Sequence, residues 1–164
     1  MQNDEKSREI KNVSSILQLF DDKNFAFLGG VFNSKAAKIL YCLYCLLPYN
    51  RIVRYKDIAE FTKMDPGNQL YYPLQNLQRL GLLKRIEFDK NTIGYSLTDA
   101  GYLTAELLHS MIKDLIKNAD LLPPEARETV TSIDSAMKEV ESSLREMPVL
   151  VDRKDKIIYL RKRY

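Results

Sequence analysis

Histidine occurs once in the 164 residues, as His109, and cysteine twice, as Cys42 and Cys45. A structural zinc site takes four Cys or His ligands at close, recognisable spacings. The Cys-x-x-Cys pair here is followed by no second pair and by no histidine at ligand distance, so no metal site is expected. Both cysteines lie in an apolar helical run and read as core residues, since a free cysteine packs as a small hydrophobe. Redox sensing would need an exposed thiol of low pKa, to which nothing in the sequence points. His109 has no evident carboxylate or nucleophile beside it, and a packing or surface role fits it better than catalysis. A Gly-rich phosphate loop and a nucleophile–base pair are also missing, which sets an enzyme aside and leaves no cofactor to expect. No stretch approaches ~18 uncharged apolar residues. The first twenty residues are too polar and acidic for a signal sequence, so a soluble, cytoplasmic protein with no membrane partner is expected.

With 45% hydrophobic and 29% charged residues, the chain suits one cored domain with an appendage. The net charge of +3 says less than its distribution. Residues 51–90 hold eight Lys/Arg against five Asp/Glu, residues 120–147 three against seven, and residues 148–164 six against two. Basic charge thus gathers in the middle and the tail with an acidic element between, as in a protein that turns one face to a polyanion.

Along the chain, Ile10, Val13, Leu17 and Phe20 recur at three- and four-residue steps and predict a first amphipathic helix over about 4–20. A connector with Gly29-Gly30 follows. Ser34 is the expected N-cap of an apolar helix to about Leu47, placed at the core centre and stopped by Pro48. Ile52-Val53 is a short strand and Tyr55 to Thr62 a helix burying Ile58, Ala59 and Phe61. The next helix carries Leu70, Leu74, Leu77 and Leu80 on one face, with Asp65 as its cap and Pro66 in its first turn. Pro73 removes one hydrogen bond inside it and clashes with the Gln69 carbonyl, at a cost of about 3 kcal/mol. Either the helix kinks there or regular helix begins only near Tyr72, and the second reading is preferred. Gly81 ends the helix. Residues 82–88, a polar turn at 89–92 and residues 93–97 read as a hairpin, after which Thr98 caps the next helix.

The segments Leu77-x-x-Leu80-Gly-Leu-Leu-Lys-Arg85 and Tyr95-Ser-Leu-Thr-Asp-Ala-Gly101 resemble the recognition-helix exit and wing exit of winged-helix transcription regulators. The long flanking helices resemble the MarR and PadR groups in arrangement. Such regulators are dimeric and often carry a small-molecule pocket, though no residue motif here identifies an effector. The expected fold is therefore mainly α with a small β-wing. Its divisions are a helix and connector at 1–33, a winged helix-turn-helix domain at 34–101, dimerisation helices at 102–147 and a basic tail at 148–164.

The resemblance implies double-stranded DNA as partner, with the second helix of the motif in the major groove and the wing tip along the backbone. With the leucines inward, Asn68, Gln69, Tyr71, Tyr72, Gln75, Asn76 and Arg79 remain outward, and amide and guanidinium groups can read base edges. Arg51, Arg54, Lys56, Lys84, Arg85, Lys90 and Asn91 are the expected backbone contacts. A winged-helix adaptor that binds protein and no specific DNA is the alternative, for which this face is merely solvated.

Residues 99–117 carry an apolar stripe too wide for one short domain, with Leu103, Leu107, Met111 and Leu115 beside Leu108, Ile112 and Ile116. In residues 125–147, Ala126, Val130, Ile133, Met137, Val140, Leu144 and Met147 form a heptad seam about three repeats long, and its members Val130, Ile133, Met137, Val140 and Leu144 are expected to pair with a second subunit. The tail can be a strand packed on the acidic helix or an arm that orders on DNA. The arm is preferred because six Lys/Arg face two acids there with no clear alternation.

Overall fold

The computed structural model describes residues 33–89, 91–147, 149–152 and 157–160, with side chains placed over 33–87 and 91–147. The expected first helix and Gly29-Gly30, Lys90, and the basic residues Arg153, Lys154, Lys156, Arg161, Lys162 and Arg163 lie outside the described residues.

The core forms around α1 (Ser34–Leu46), in which Ala36, Ala37, Ile39, Leu40, Tyr41, Cys42, Leu43 and Leu46 are all buried. Its cap is Asn33, one residue before the expected Ser34, and the Asn33 Oδ1 accepts from the Ala36 N–H at 2.8 Å. Strand β1 (Ile52–Arg54) leads into α2 (Tyr55–Thr62), which buries Ile58, Ala59 and Phe61 as expected.

Helix α3 (Asn68–Arg79) runs without interruption through Pro73, which overturns the preference for a late start near Tyr72. The buried faces of Leu70, Leu74 and Leu77 supply packing that outweighs the lost Gln69–Pro73 hydrogen bond. Asp65 and Pro66 lie ahead of the helix. The Asp65 carboxylate accepts from the Gly67 N–H at 2.9 Å, so it shapes the turn and does not cap α3 directly. Gly81 stops α3 at φ +78°, in the left-handed region, and the Leu82 N–H reaches back to the Leu77 carbonyl at 3.0 Å.

Strands β2 (Leu83–Asp89) and β3 (Thr92–Leu97) then pair antiparallel from Leu83↔Leu97 outward to Asp89↔Thr92. Thr98 caps α4 (Asp99–Lys117) as expected, its Oγ1 accepting from the Gly101 N–H at 3.0 Å and donating to the Gly81 carbonyl at 2.6 Å. After a short 3-10 turn at Ala119–Leu121, α5 (Pro124–Glu146) crosses back and packs chiefly on α1, also touching α2 and α4.

That packing corrects the dimer seam. Val130, Ile133 and Val140 are fully buried in their own chain, Met137 is nearly so, and Leu144 packs partly on the same core. A narrow apolar stripe serves a two-helix groove within one chain as well as a partner subunit, and the groove between α1 and α4 takes it here.

The tail, too, departs from the preferred arm. Strands β4 (Val149–Asp152) and β5 (Ile157–Leu160) form an antiparallel hairpin, and β5 adds to β1 in parallel with Ile52↔Ile157 and Val53↔Ile158. The result is one five-stranded sheet in the order β2-β3-β1-β5-β4. β-branched residues at Val149, Val151, Ile157 and Ile158 suit paired strands. The packing surface of this strand hairpin is β1, where the strand alternative had named the acidic helix.

Candidate nucleic-acid interface

Helix α3 presents its polar side outward because its leucines are taken up by the core. Asn68, Gln69, Tyr71, Tyr72, Gln75 and Arg79 are exposed, and Asn76 is half-buried. Several of these are already oriented. The Gln75 amide donates to the Tyr71 hydroxyl at 2.8 Å, the Arg79 guanidinium to the Asn76 Oδ1 at 2.7 Å, and the Asp65 N–H to the Gln69 Oε1 at 3.1 Å. The Tyr71 and Tyr72 rings meet edge-on, 5.5 Å apart. Gln75, Asn76, Gln78 and Arg79 line one shallow groove. Gln78 was not among the expected residues, yet its place three residues after Gln75 puts it on the same side.

Tyr55 ties the motif to the sheet. Its hydroxyl donates to the Pro66 carbonyl in the turn before α3, and its ring lies 6.4 Å from that of Tyr95 on β3. Burial raises the Tyr55 pKa first, with Tyr95, Asp65 and Tyr71 adding to it, so the Tyr55 phenol stays a neutral donor at physiological pH.

The expected backbone contacts do not all lie together. Lys56, Lys84 and Asn91 are exposed. Successive strand residues point to opposite faces, so Lys84 and Arg85 cannot face one surface. Arg85 shares its face with Glu87, to which it is paired at 2.8 Å, and sits opposite Tyr95. Burial raises the Tyr95 pKa, and Arg85 partly opposes that rise. Arg54 holds the buried Asp57 through Nε at 2.9 Å and a second nitrogen at 3.2 Å, a structural duty that competes with phosphate binding. Arg51 falls in a separate cleft of ≈ 630 Å³ between the end of α1 and the start of α4, lined also by Tyr44, Cys45, Asp99 and Tyr102.

Beyond the motif lies a polar cluster in the helical layer. The Tyr41 hydroxyl donates to Glu141 on α5, and its ring stacks on His109 of α4 at 5.0 Å. Burial pushes the thiols of Cys42 and Cys45 up, which fits their reading as inert core residues. Among the described residues no group of three or more His, Cys, Asp or Glu could hold a metal, and no helix is long and apolar enough to cross a membrane.

A helix-turn-helix followed by an antiparallel hairpin that pairs back onto the strand before it decides the architecture. The chain folds as a winged helix-turn-helix. No protein-family model matches it, and no curated protein does. Among solved structures it is similar to a mutant of ZitR from Lactococcus lactis at 20% identity, covering 82% of this chain and 95% of that one with a TM-score of 0.43. It is also similar to ZitR itself, described as a zinc-responsive MarR family member, at 18% identity, 82% and 96% coverage and a TM-score of 0.37. The assignment to the winged-helix fold stands on the element order and strand register of the chain itself.

Proposed function

We propose that this winged-helix protein is a MarR-like transcription regulator that binds double-stranded DNA sequence-specifically as a homodimer. The observation that carries the reading is the outer side of α3. There Asn68, Gln69, Gln75, Gln78 and Arg79 stand exposed on a helix whose other side is locked by three buried leucines. Amide groups pair with adenine edges and a guanidinium with guanine, so this face has the chemistry of direct readout. Lys56, Lys84, Lys90 and Asn91 supply the sequence-independent part.

The dimer in this reading uses the outer face of α4, since the α5 seam is filled by its own chain. Leu103 and Leu107, one turn apart, are 59% and 68% exposed on a helix whose opposite side is core. A second copy of the same face is the partner we assign to it, and Leu107→Glu should yield a monomer in sedimentation.

The test of DNA recognition is selection of bound duplexes from a random pool, followed by salt titration of the selected sequence. Gln75→Ala, Asn76→Ala or Gln78→Ala should relax preference at single positions by ~1–3 kcal/mol, whereas Lys90→Ala should weaken all duplexes alike. A protein that enriches no sequence and shows no salt-dependent duplex binding is the interaction adaptor instead.

A further inference from the structure

Two side-chain hydrogen bonds on the outer side of α3 divide its polar residues into pairs. The Gln75 Nε2 donates to the Tyr71 hydroxyl one turn back at 2.8 Å, and the Arg79 Nη2 donates to the Asn76 Oδ1 at 2.7 Å. Both follow from helix geometry, since residues three and four apart are neighbours on the surface. The members of each pair are not equivalent. Gln75 and Arg79 are exposed, whereas Asn76 is half-buried, and the Tyr71 ring is set edge-on against Tyr72 with the planes 74° apart.

Each bond decides what its partners have left to offer a base. Adenine is read by an amide that accepts from the N6 amino group and donates to N7. An amide nitrogen carries two hydrogens, so Gln75 can give one to Tyr71 and keep the other, beside its Oε1, for the base. Guanine is read by two parallel donors to O6 and N7. A guanidinium has five N–H groups, and the one that Arg79 gives to Asn76 leaves its fork intact. Asn76 is in the opposite position, because Arg79 stands at the oxygen that an adenine amino group would need. Gln75 and Arg79 are four residues apart, about 6 Å along the helix axis. That rise spans about two base-pair steps of ~3.4 Å.

We infer that Gln75 reads an adenine and Arg79 a guanine within about two base-pair steps of each other, while Tyr71 and Asn76 are positioning residues that hold the two readers. The inference rests on the proposed DNA binding and deepens it by naming the bases. A side chain already held in its reading geometry loses less freedom on binding, which is how a residue that touches no base contributes to sequence preference.

The experiment selects duplexes from a random pool with the full chain, then measures affinity for the selected duplex and for each single base-pair substitution of it. Gln75→Ala should lower the preference for A·T at one position by about 5- to 150-fold. Tyr71→Phe removes only the hydroxyl, and should lower preference at that same position by about 2- to 10-fold, the worth of one hydrogen bond. In the Gln75→Ala background, Tyr71→Phe should change that position no further. Arg79→Lys keeps the charge but lacks the fork, so it should lose the G·C preference at a second position with the salt slope unchanged. Asn76→Ala should weaken preference at that second position too. An Asn76→Ala effect at a position of its own, a Tyr71→Phe effect that persists without Gln75, or a selected sequence without the neighbouring A·T and G·C pairs overturns the inference. A wild-type protein that enriches no sequence overturns the DNA reading itself, and the two failures are thereby distinct.

Discussion

Gly101 lies so close to Leu82 that a β-carbon built on it would come 2.0 Å from the Leu82 carbonyl oxygen. The first turn of α4 is thus seated directly on the backbone that links α3 to the wing, and Thr98 stitches the same place through Gly81. Gly101→Ala should force α4 away from that backbone and cost ~1–3 kcal/mol or more, as overpacking does. Urea unfolding measures it, and a variant as stable as wild type would mean that the seat is looser than the geometry states.

The burial of α5 in its own chain predicts a stability effect where an interface would give an assembly effect. Ile133 is fully buried, and Ile133→Ala should cost ~2–5 kcal/mol with the sedimentation behaviour of the folded protein unchanged. Dissociation to monomers at undiminished thermal stability would return the seam to a second subunit.

Arg54 and Asp57 form a pair in which one member is buried and the other half-buried. Removing the arginine strands the carboxylate, so Arg54→Ala should lower stability by roughly 3–5 kcal/mol, at the scale of a broken buried pair. At a temperature where the variant remains folded, its salt slope for duplex binding should match wild type. A flattened slope would make Arg54 a phosphate contact after all.

His109 has its pKa lowered, first by burial and then by Lys113, with Glu141 opposing. Tyr41 stacks on the ring, Tyr44 lies 6.4 Å from it, and Cys45 adjoins Tyr41. An unfolded histidine takes up its proton near ~6.5, but this fold resists until a lower pH. Between those two values the unfolded chain binds more protons, so the stability that the neutral ring provides is complete above about 6.5 and is lost as pH falls through the folded value. His109→Gln should therefore lose less melting temperature than wild type between about pH 7.5 and about pH 5. Equal losses in the two proteins would assign the acid sensitivity to carboxylates alone.

The winged domain was legible in the sequence because its signals are local. The α3 leucines, Gly81, the polar turn and Thr98 each act within a few residues of themselves, and each appears where those signals place it. Tertiary competition was not legible in the same way. A seam such as Val130 to Leu144 specifies an apolar partner without saying which helix supplies it. Arg54 could be assigned to Asp57 only once α2 had turned the carboxylate inward, and the exposed charge of Lys84 could be parted from that of Arg85 only by strand alternation. The tail carried the charge that suggested an arm and the β-branched residues that make a hairpin. The partner strand that decides between them, β1, lies far away in sequence. For Pro73, the propensity penalty was read correctly, but the compensating burial comes from contacts that the local sequence does not contain.

The parallel β1–β5 pair also bears on how the protein is made. While the chain is being synthesised, β2, β3 and β1 can close their hairpin and pairing well before β4 and β5 leave the ribosome, and β1 is then an open edge beside Val53 and Ile52. An open edge of that kind is a template for pairing with other nascent chains. A product truncated or proteolytically clipped after α5 would retain its helical core and wing yet keep that edge bare, and should aggregate more readily than the chain that carries β4 and β5. The hairpin thus acts as a cover for the sheet, passing the exposed edge from β1 to β4.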